Sequence, residues 1–180
     1  MKIIGISGLP GSGKSIVAEM GSEKGAKIVS MGDIIREEAQ KRDESTKETA
    51  INLRKEFGDY IVAELTIKKI KEIENNGFDN LIIVEGIRSP FEVKLFKNNF
   101  EEFKIISVFT NPKTRFERLK ERNRSDDSED FDVFLQRDER ELNFGIGTVI
   151  ALSDYIIINH SNLEHFKREI KRFYKKLDTI

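Results

Sequence analysis

Gly8-Leu9-Pro10-Gly11-Ser12-Gly13-Lys14-Ser15 follows the apolar run Ile3 to Ser7 and leads directly into Ile16-Val17-Ala18. The octapeptide satisfies G-x-x-x-x-G-K-[ST], with the strand before it and the helix after it that the motif needs. Glycine admits positive φ and lets backbone N–H groups close on a phosphate; the helix start adds a positive dipole end. Lys14 is then expected to reach β and γ phosphates, and the Ser15 hydroxyl to ligate Mg2+. Gly8, Leu9, Pro10, Gly11, Ser12, Gly13, Lys14, Ser15 and Ile16 are accordingly the expected ATP contacts. At ordinary residue frequencies the four fixed positions recur by chance in roughly one chain of this length per couple of hundred, before strand and helix are required.

Outward from the loop, β-rich runs recur at Lys27 to Val29, Leu81 to Val84, Ile105 to Phe109 and Tyr155 to Ile158, separated by stretches of helical periodicity. Strands alternating with helices predict right-handed crossovers and a parallel sheet covered on both faces, an α/β three-layer sandwich of five strands. The strands are mostly continuous apolar runs, as burial on both faces demands. The longest helical stretch, Lys47 to Asn75, is interrupted near Gly58, which predicts two helices. Asn123 to Phe131 reads NRSDDSEDF, without periodicity, and predicts a surface loop. The expected organisation is one domain over residues 1–180, with acceptor-binding helices over about 32–76 and a lid loop over about 123–132.

Across 180 residues, 31 basic and 32 acidic side chains nearly cancel, so the overall field favours neither nucleic acid nor a membrane surface, and phosphate recognition must be local. No stretch approaches the 18 or more apolar residues of a membrane span. The absence of Cys removes thiolate chemistry and Cys-based zinc sites and suits a reducing compartment; the expected location is cytoplasmic. His160 and His165 form no metal-ligating pattern and read as surface residues, and the thirteen Phe read as core.

Phosphate loops serve switches, motors and kinases alike, so other residues must select the chemistry. Ser30-Met31-Gly32-Asp33-Ile34-Ile35-Arg36 follows the second strand, and Glu85-Gly86-Ile87-Arg88 ends the third. In a doubly wound sheet these strand ends converge on one crevice, which brings Asp33, Arg36, Glu85 and Arg88 toward the loop. Two arginines there make an anion clamp; Asp33 also reads as a cap for a helix starting at Ile34. After the fourth strand, Asn111-Pro112 opens a helix on which Arg115, Arg118 and Arg122 form one basic stripe, followed by Arg124, Arg137 and Arg140. Such arginines suit phosphoryl transfer, whose charge spreads over three oxygens, whereas pairing with Asp126, Asp127, Glu129 and Asp130 would make some of them ordinary surface residues, Arg115 first.

These motifs resemble the adenylate kinase branch of nucleoside monophosphate kinases, which carry S-x-G-D-x-x-R after the second strand and D-G-x-P-R after the third. The resemblance implies that Gly32, Asp33, Arg36 and Arg88 bind the acceptor, the two arginines through its phosphate. It also implies that Glu85 holds Mg2+ through water and Arg118 stacks on adenine. Arg122, Arg124, Arg137 and Arg140 would supply transition-state charge. Here Glu85 stands for Asp, the proline is missing, and Arg88 lies three rather than four residues after the acid. In motif order the chain looks most like an archaeal group of adenylate-kinase-related P-loop proteins.

Three readings follow. The first is a kinase moving the ATP γ-phosphate to a nucleoside monophosphate such as AMP. The second is a kinase of a hydroxyl acceptor such as dephospho-coenzyme A, which the chain also resembles, with Asp33 as general base. The third is an ATP-dependent switch or binding module.

Overall fold

The computed structural model describes residues 1–122 and 127–177. Among the described residues the strands β1 (Ile3–Ser7), β2 (Lys27–Ser30), β3 (Ile82–Glu85), β4 (Phe103–Phe109) and β5 (Tyr155–Ile158) form one parallel sheet in the order β2-β3-β1-β4-β5. The strand carrying the phosphate loop is therefore central, and the ends of β3 and β4 flank it. Helices α1 (Lys14–Ser22), α2 (Met31–Arg42), α3 (Thr46–Phe57), α4 (Ile61–Asn75), α5 (Pro90–Asn99), α6 (Pro112–Arg122), α7 (Phe131–Asn143), α8 (Ile146–Ala151) and α9 (Leu163–Leu177) intervene.

Alternation along the strands divides the core into two layers. On one face Ile3, Ile82, Val84 and Ile105 pack with Val62, Ala63, Ile67 and Ile70 of α4 and Phe96 of α5. On the other, Ile4, Ile6, Ile83, Ile106 and Val108 meet Val17 and Ala18 of α1 and an apolar stripe of α9, namely Phe166, Ile170, Phe173 and Tyr174. The three-layer expectation holds. No described helix is long and apolar enough to cross a membrane.

The stretch 47–75 is two helices: Gly58, at φ 93°, is the C-cap of α3, a conformation costly for any side chain with a Cβ. Two expected boundaries need correction. Ser30, rather than Asp33, caps α2 by accepting the N–H of Asp33, so the helix begins three residues earlier than the Asp33 reading implies. Asp130 accepts from the N–H groups of Asp132 and Val133 and starts α7 at Phe131, inside the span expected for the lid loop. Gly145 is the N-cap of α8, which begins at Ile146.

Phe166 is fully buried, and a Cβ at Gly13 would lie 3.1 Å from its ring, so this side chain is both core and backing for the phosphate loop. Phe166→Ala should lower the unfolding free energy by about 3–5 kcal/mol in urea titrations, with an unchanged m-value.

Candidate active site

Helices α2, α3, α5 and α7 each begin with a side-chain cap from Ser30, Ser45, Ser89 or Asp130. Helix α1 does not: its N-cap is Gly13, at φ 101°, and no side chain closes that end. Apart from that of Ile16, which donates to Gly13 O at 3.2 Å, its first-turn N–H groups are left for an outside acceptor. The carbonyls of the loop are held from behind. Ser12 O accepts from Thr110 Oγ1 at 3.1 Å and Asn159 Nδ2 at 2.9 Å, and Pro10 O accepts from Arg115 Nη1 at 3.2 Å. A Cβ at Gly11 would come within 2.8 Å of Arg115 O, which is why the loop can lie directly on α6. Lys14 Nζ folds over the loop, donating to Gly8 O at 2.5 Å and Leu9 O at 3.1 Å.

The loop floors a cleft of about 430 Å³. Lys14, Arg88, Arg118, Arg122 and Arg137 line it against two carboxylates, Glu85 and Glu141. Burial pulls the Lys14 ammonium down to about 8; Arg88 and Arg115 add to the effect, while Glu141 and Glu85 oppose it. Burial raises the Glu85 carboxyl, with Asp33 pushing the same way and Lys14 opposing. A small cleft with excess positive charge and an uncapped helix end is complementary to a polyphosphate.

The expected site residues separate into groups. Gly8, Pro10, Gly11, Gly13, Lys14, Ser15, Glu85, Arg88, Arg118, Arg122 and Arg137 line one cleft. Ser12 is buried beneath it, and its Oγ has no hydrogen-bond partner among the described residues. Leu9 and Ile16 belong to the same loop and helix start without lining the cleft. Asp33 and Arg36 form an exposed ion pair with each other on α2, outside the cleft wall, beside Gly32. Arg140 faces another hollow with Leu119, Phe134 and Ser128. Arg124 lies outside the described residues.

Arg115 overturns its surface reading. It is 1% exposed, and its partner is Asp138 of α7 rather than any of the lid acids. Nε donates to Thr110 O at 3.1 Å, Nη1 to Asp138 Oδ1 at 2.8 Å and Nη2 to Asp138 Oδ2, with the Phe134 ring 5.0 Å away. Arg122 and Arg137 converge on Asp127, whose side chain is nearly inaccessible. Arg118 donates to Asn159 O and Oδ1.

Sequence reasoning gave no site role to Glu141, Thr110 or Ile146. Glu141 follows Arg137 by one helical turn, so the i, i+4 spacing on α7 was the available signal. Asn159, just past β5, is silent along the chain, because its buried link to Ser12 spans 147 residues.

Among the described residues no three His, Cys, Asp or Glu side chains gather as a metal site. The donors present still fit Mg2+, which takes few protein ligands and keeps waters and substrate phosphates. Ser15 at the start of α1 and the half-buried Glu85 carboxylate are those donors.

The sheet order, loop and basic cleft define a P-loop kinase-like protein. A family model described as AAA domain matches residues 7–132. A UPF0200 protein of Methanothermobacter thermautotrophicus is 47% identical over 177 residues, covering 98% of this chain and 91% of its own. A UPF0200 protein of Pyrococcus furiosus is 44% identical, covering 94% of each. The chain belongs to this UPF0200 family of AAA-domain proteins. In fold it is similar to a shikimate kinase from Bacteroides thetaiotaomicron, at TM-score 0.62 and 17% identity, covering 98% of both chains. It is likewise similar to TT1252 from Thermus thermophilus, at TM-score 0.69 and 17% identity, covering 98% and 97%.

Two predictions follow from the charges. An anion on Lys14 restores its proton, so binding above the free value of about 8 takes up a proton. Affinity for magnesium-ATP should be flat below that pH and fall about tenfold per unit above it, and calorimetry in buffers of different ionisation enthalpy should register uptake of about one proton. Asp138→Ala strands the Arg115 charge in the interior and should cost about 3–5 kcal/mol in chemical denaturation.

Proposed function

We propose that the protein is an ATP-dependent phosphotransferase whose acceptor carries a phosphate, a nucleoside monophosphate such as AMP. The observation that carries this reading is the position of Arg88: it lines the same cleft as Lys14 and the loop, yet comes from the connection between β3 and α5. The two cations suit two phosphate groups meeting in one cleft.

The loop amides and Lys14 hold the β and γ phosphates, and Arg88 orients the acceptor phosphate. An acceptor oxygen then bonds to the γ-phosphorus while the bond to the β,γ-bridging oxygen breaks, and ADP leaves with that electron pair. The attacking oxygen is already ionised, so no base is required. Ser15 would hold Mg2+ directly and Glu85 through water; the ion supplies charge neutralisation on the phosphate oxygens. Arg122 and Arg137 add positive charge over the transferred group, and Arg118, bound to Asn159, flanks the donor side. The cleft walls limit water as a competing acceptor.

A hydroxyl acceptor is the second reading. It is favoured by Asp33, which stands at the start of α2 close enough to Glu85 to raise its carboxyl. There the hydroxyl proton would pass to the Asp33 carboxylate as the new P–O bond forms.

Transfer from γ-labelled ATP across a panel of nucleotides and hydroxyl acceptors tests both readings. Lys14→Ala should abolish transfer. Arg88→Ala should raise the acceptor KM about ten- to a hundredfold with little change in the ATP KM; equal effects on both substrates would overturn the division of the cleft. Asp33→Asn should reduce kcat only slightly with a phosphate acceptor, whereas a loss of about 10² to 10⁴ would establish the hydroxyl reading.

A further inference from the structure

Glu141 stands apart from the other acids of the cleft. It projects from α7, and its Oε1 accepts from Arg88 Nη1 at 2.9 Å, bridging 53 residues of sequence. The carboxylate is the more enclosed partner: the Glu141 side chain is 14% exposed and that of Arg88 52%. Arg88 is thus tethered by one nitrogen to an acid reaching out from inside the cleft. Glu141 is also the strongest acidic influence on Lys14 and lines the same cleft, so one carboxylate acts on both cations that would hold the two phosphates.

Helix α7 does not depend on this contact for its place. One turn earlier Asp138 is buried against Arg115, and Arg137 is joined to Asp127. Releasing Glu141 would leave α7 docked at the donor side, with Arg137 still at the cleft.

We propose that Glu141 selects the acceptor class: its carboxylate occupies the anion position on Arg88, and an acceptor takes that position only by exchanging a phosphate dianion for it. The proposal rests on the phosphotransferase reading for its biological sense, but the exchange itself requires no catalysis. The physical basis is an asymmetry. A carboxylate bound through one oxygen to a half-exposed arginine is a weak ion pair. A phosphate brings more charge and three oxygens, and can engage the guanidinium fork with two of them. A neutral group brings neither and leaves Glu141 on Arg88. The acid therefore costs phosphate-bearing acceptors some affinity and excludes those without an anion from the Arg88 end of the cleft.

A double-mutant cycle on the full-length chain tests this, with AMP, adenosine and inorganic phosphate titrated calorimetrically into the wild type, Glu141→Gln, Arg88→Ala and the double variant. Removing Glu141 also alters phosphate held by Lys14, but that change enters the cycle with and without Arg88 and cancels in the coupling. Glu141→Gln should tighten AMP and inorganic phosphate about fivefold more when Arg88 is present than when it is Ala, and leave adenosine unchanged. Glu141→Ala should give the same result, with thermal melts verifying that both variants are folded. If removing the acid leaves phosphate affinity unchanged or weakens it, Glu141 merely holds Arg88 in place and the proposal is wrong. If the tightening is seen but no phosphoryl group is ever transferred, the exchange stands and the phosphotransferase reading falls.

Discussion

A loop that offers its amides to a ligand must first satisfy its carbonyls, and in this molecule a buried guanidinium does much of that work. Arg115 joins the Pro10 carbonyl, the Thr110 carbonyl and the Asp138 carboxylate, so one side chain ties the loop, the end of β4 and α7 together. Asn159 and Thr110 secure the Ser12 carbonyl from β5 and β4. Buried polar groups without such partners are costly, and an unpaired Arg115 charge would be more so. The geometry of the phosphate loop is therefore inseparable from the packing of α6 and α7 behind it.

The cleft handles its surplus positive charge by local pairing. Arg88 meets Glu141, and Arg122 and Arg137 meet Asp127. These pairs hold the arginines in place against mutual repulsion; Arg88 is half-exposed enough to exchange partners, whereas Arg122 and Arg137 share a carboxylate that is nearly inaccessible. Lys14 is handled differently. It donates to the loop's own carbonyls and its burial weakens its hold on the proton, so its charge is most favourable when an anion is near. The similarity to a shikimate kinase concerns the fold alone; the acceptor side is where this chain's own residues carry the argument.

Much of the fold was legible because strand and loop signals are local. Gly8 to Ser15 identified the phosphate loop by its glycines and Lys-Ser end, and the apolar runs marked all five strands within two residues of their ends, although only β1, β3 and β4 are buried and the edge strands β2 and β5 expose Ile28, Ile156 and Ile158. Gly58 announced a helix break because only a residue without a Cβ tolerates its backbone there. Arg115 was misread for another reason. Arg115, Arg118 and Arg122 do share a helical stripe, but spacing cannot reveal that Arg115 turns into the interior to meet Asp138, 23 residues away. Asp33 and Arg36 do sit after a strand end, but three-residue spacing on α2 also lets them satisfy each other.

The sequence by itself determined the layered α/β class and the chemistry of the phosphate loop, because periodicity, glycine and a Lys-Ser pair act through neighbours along the chain. Only the tertiary structure decided which arginines are cleft, which is keystone and which face away. Those roles depend on carboxylates and carbonyls brought from distant helices, and burial rather than spacing fixes what an ion pair is worth. Glu141 shows the difference most sharply: along the chain it is one acid among 32, and in the folded molecule it bonds Arg88 and acts on Lys14 across one cleft.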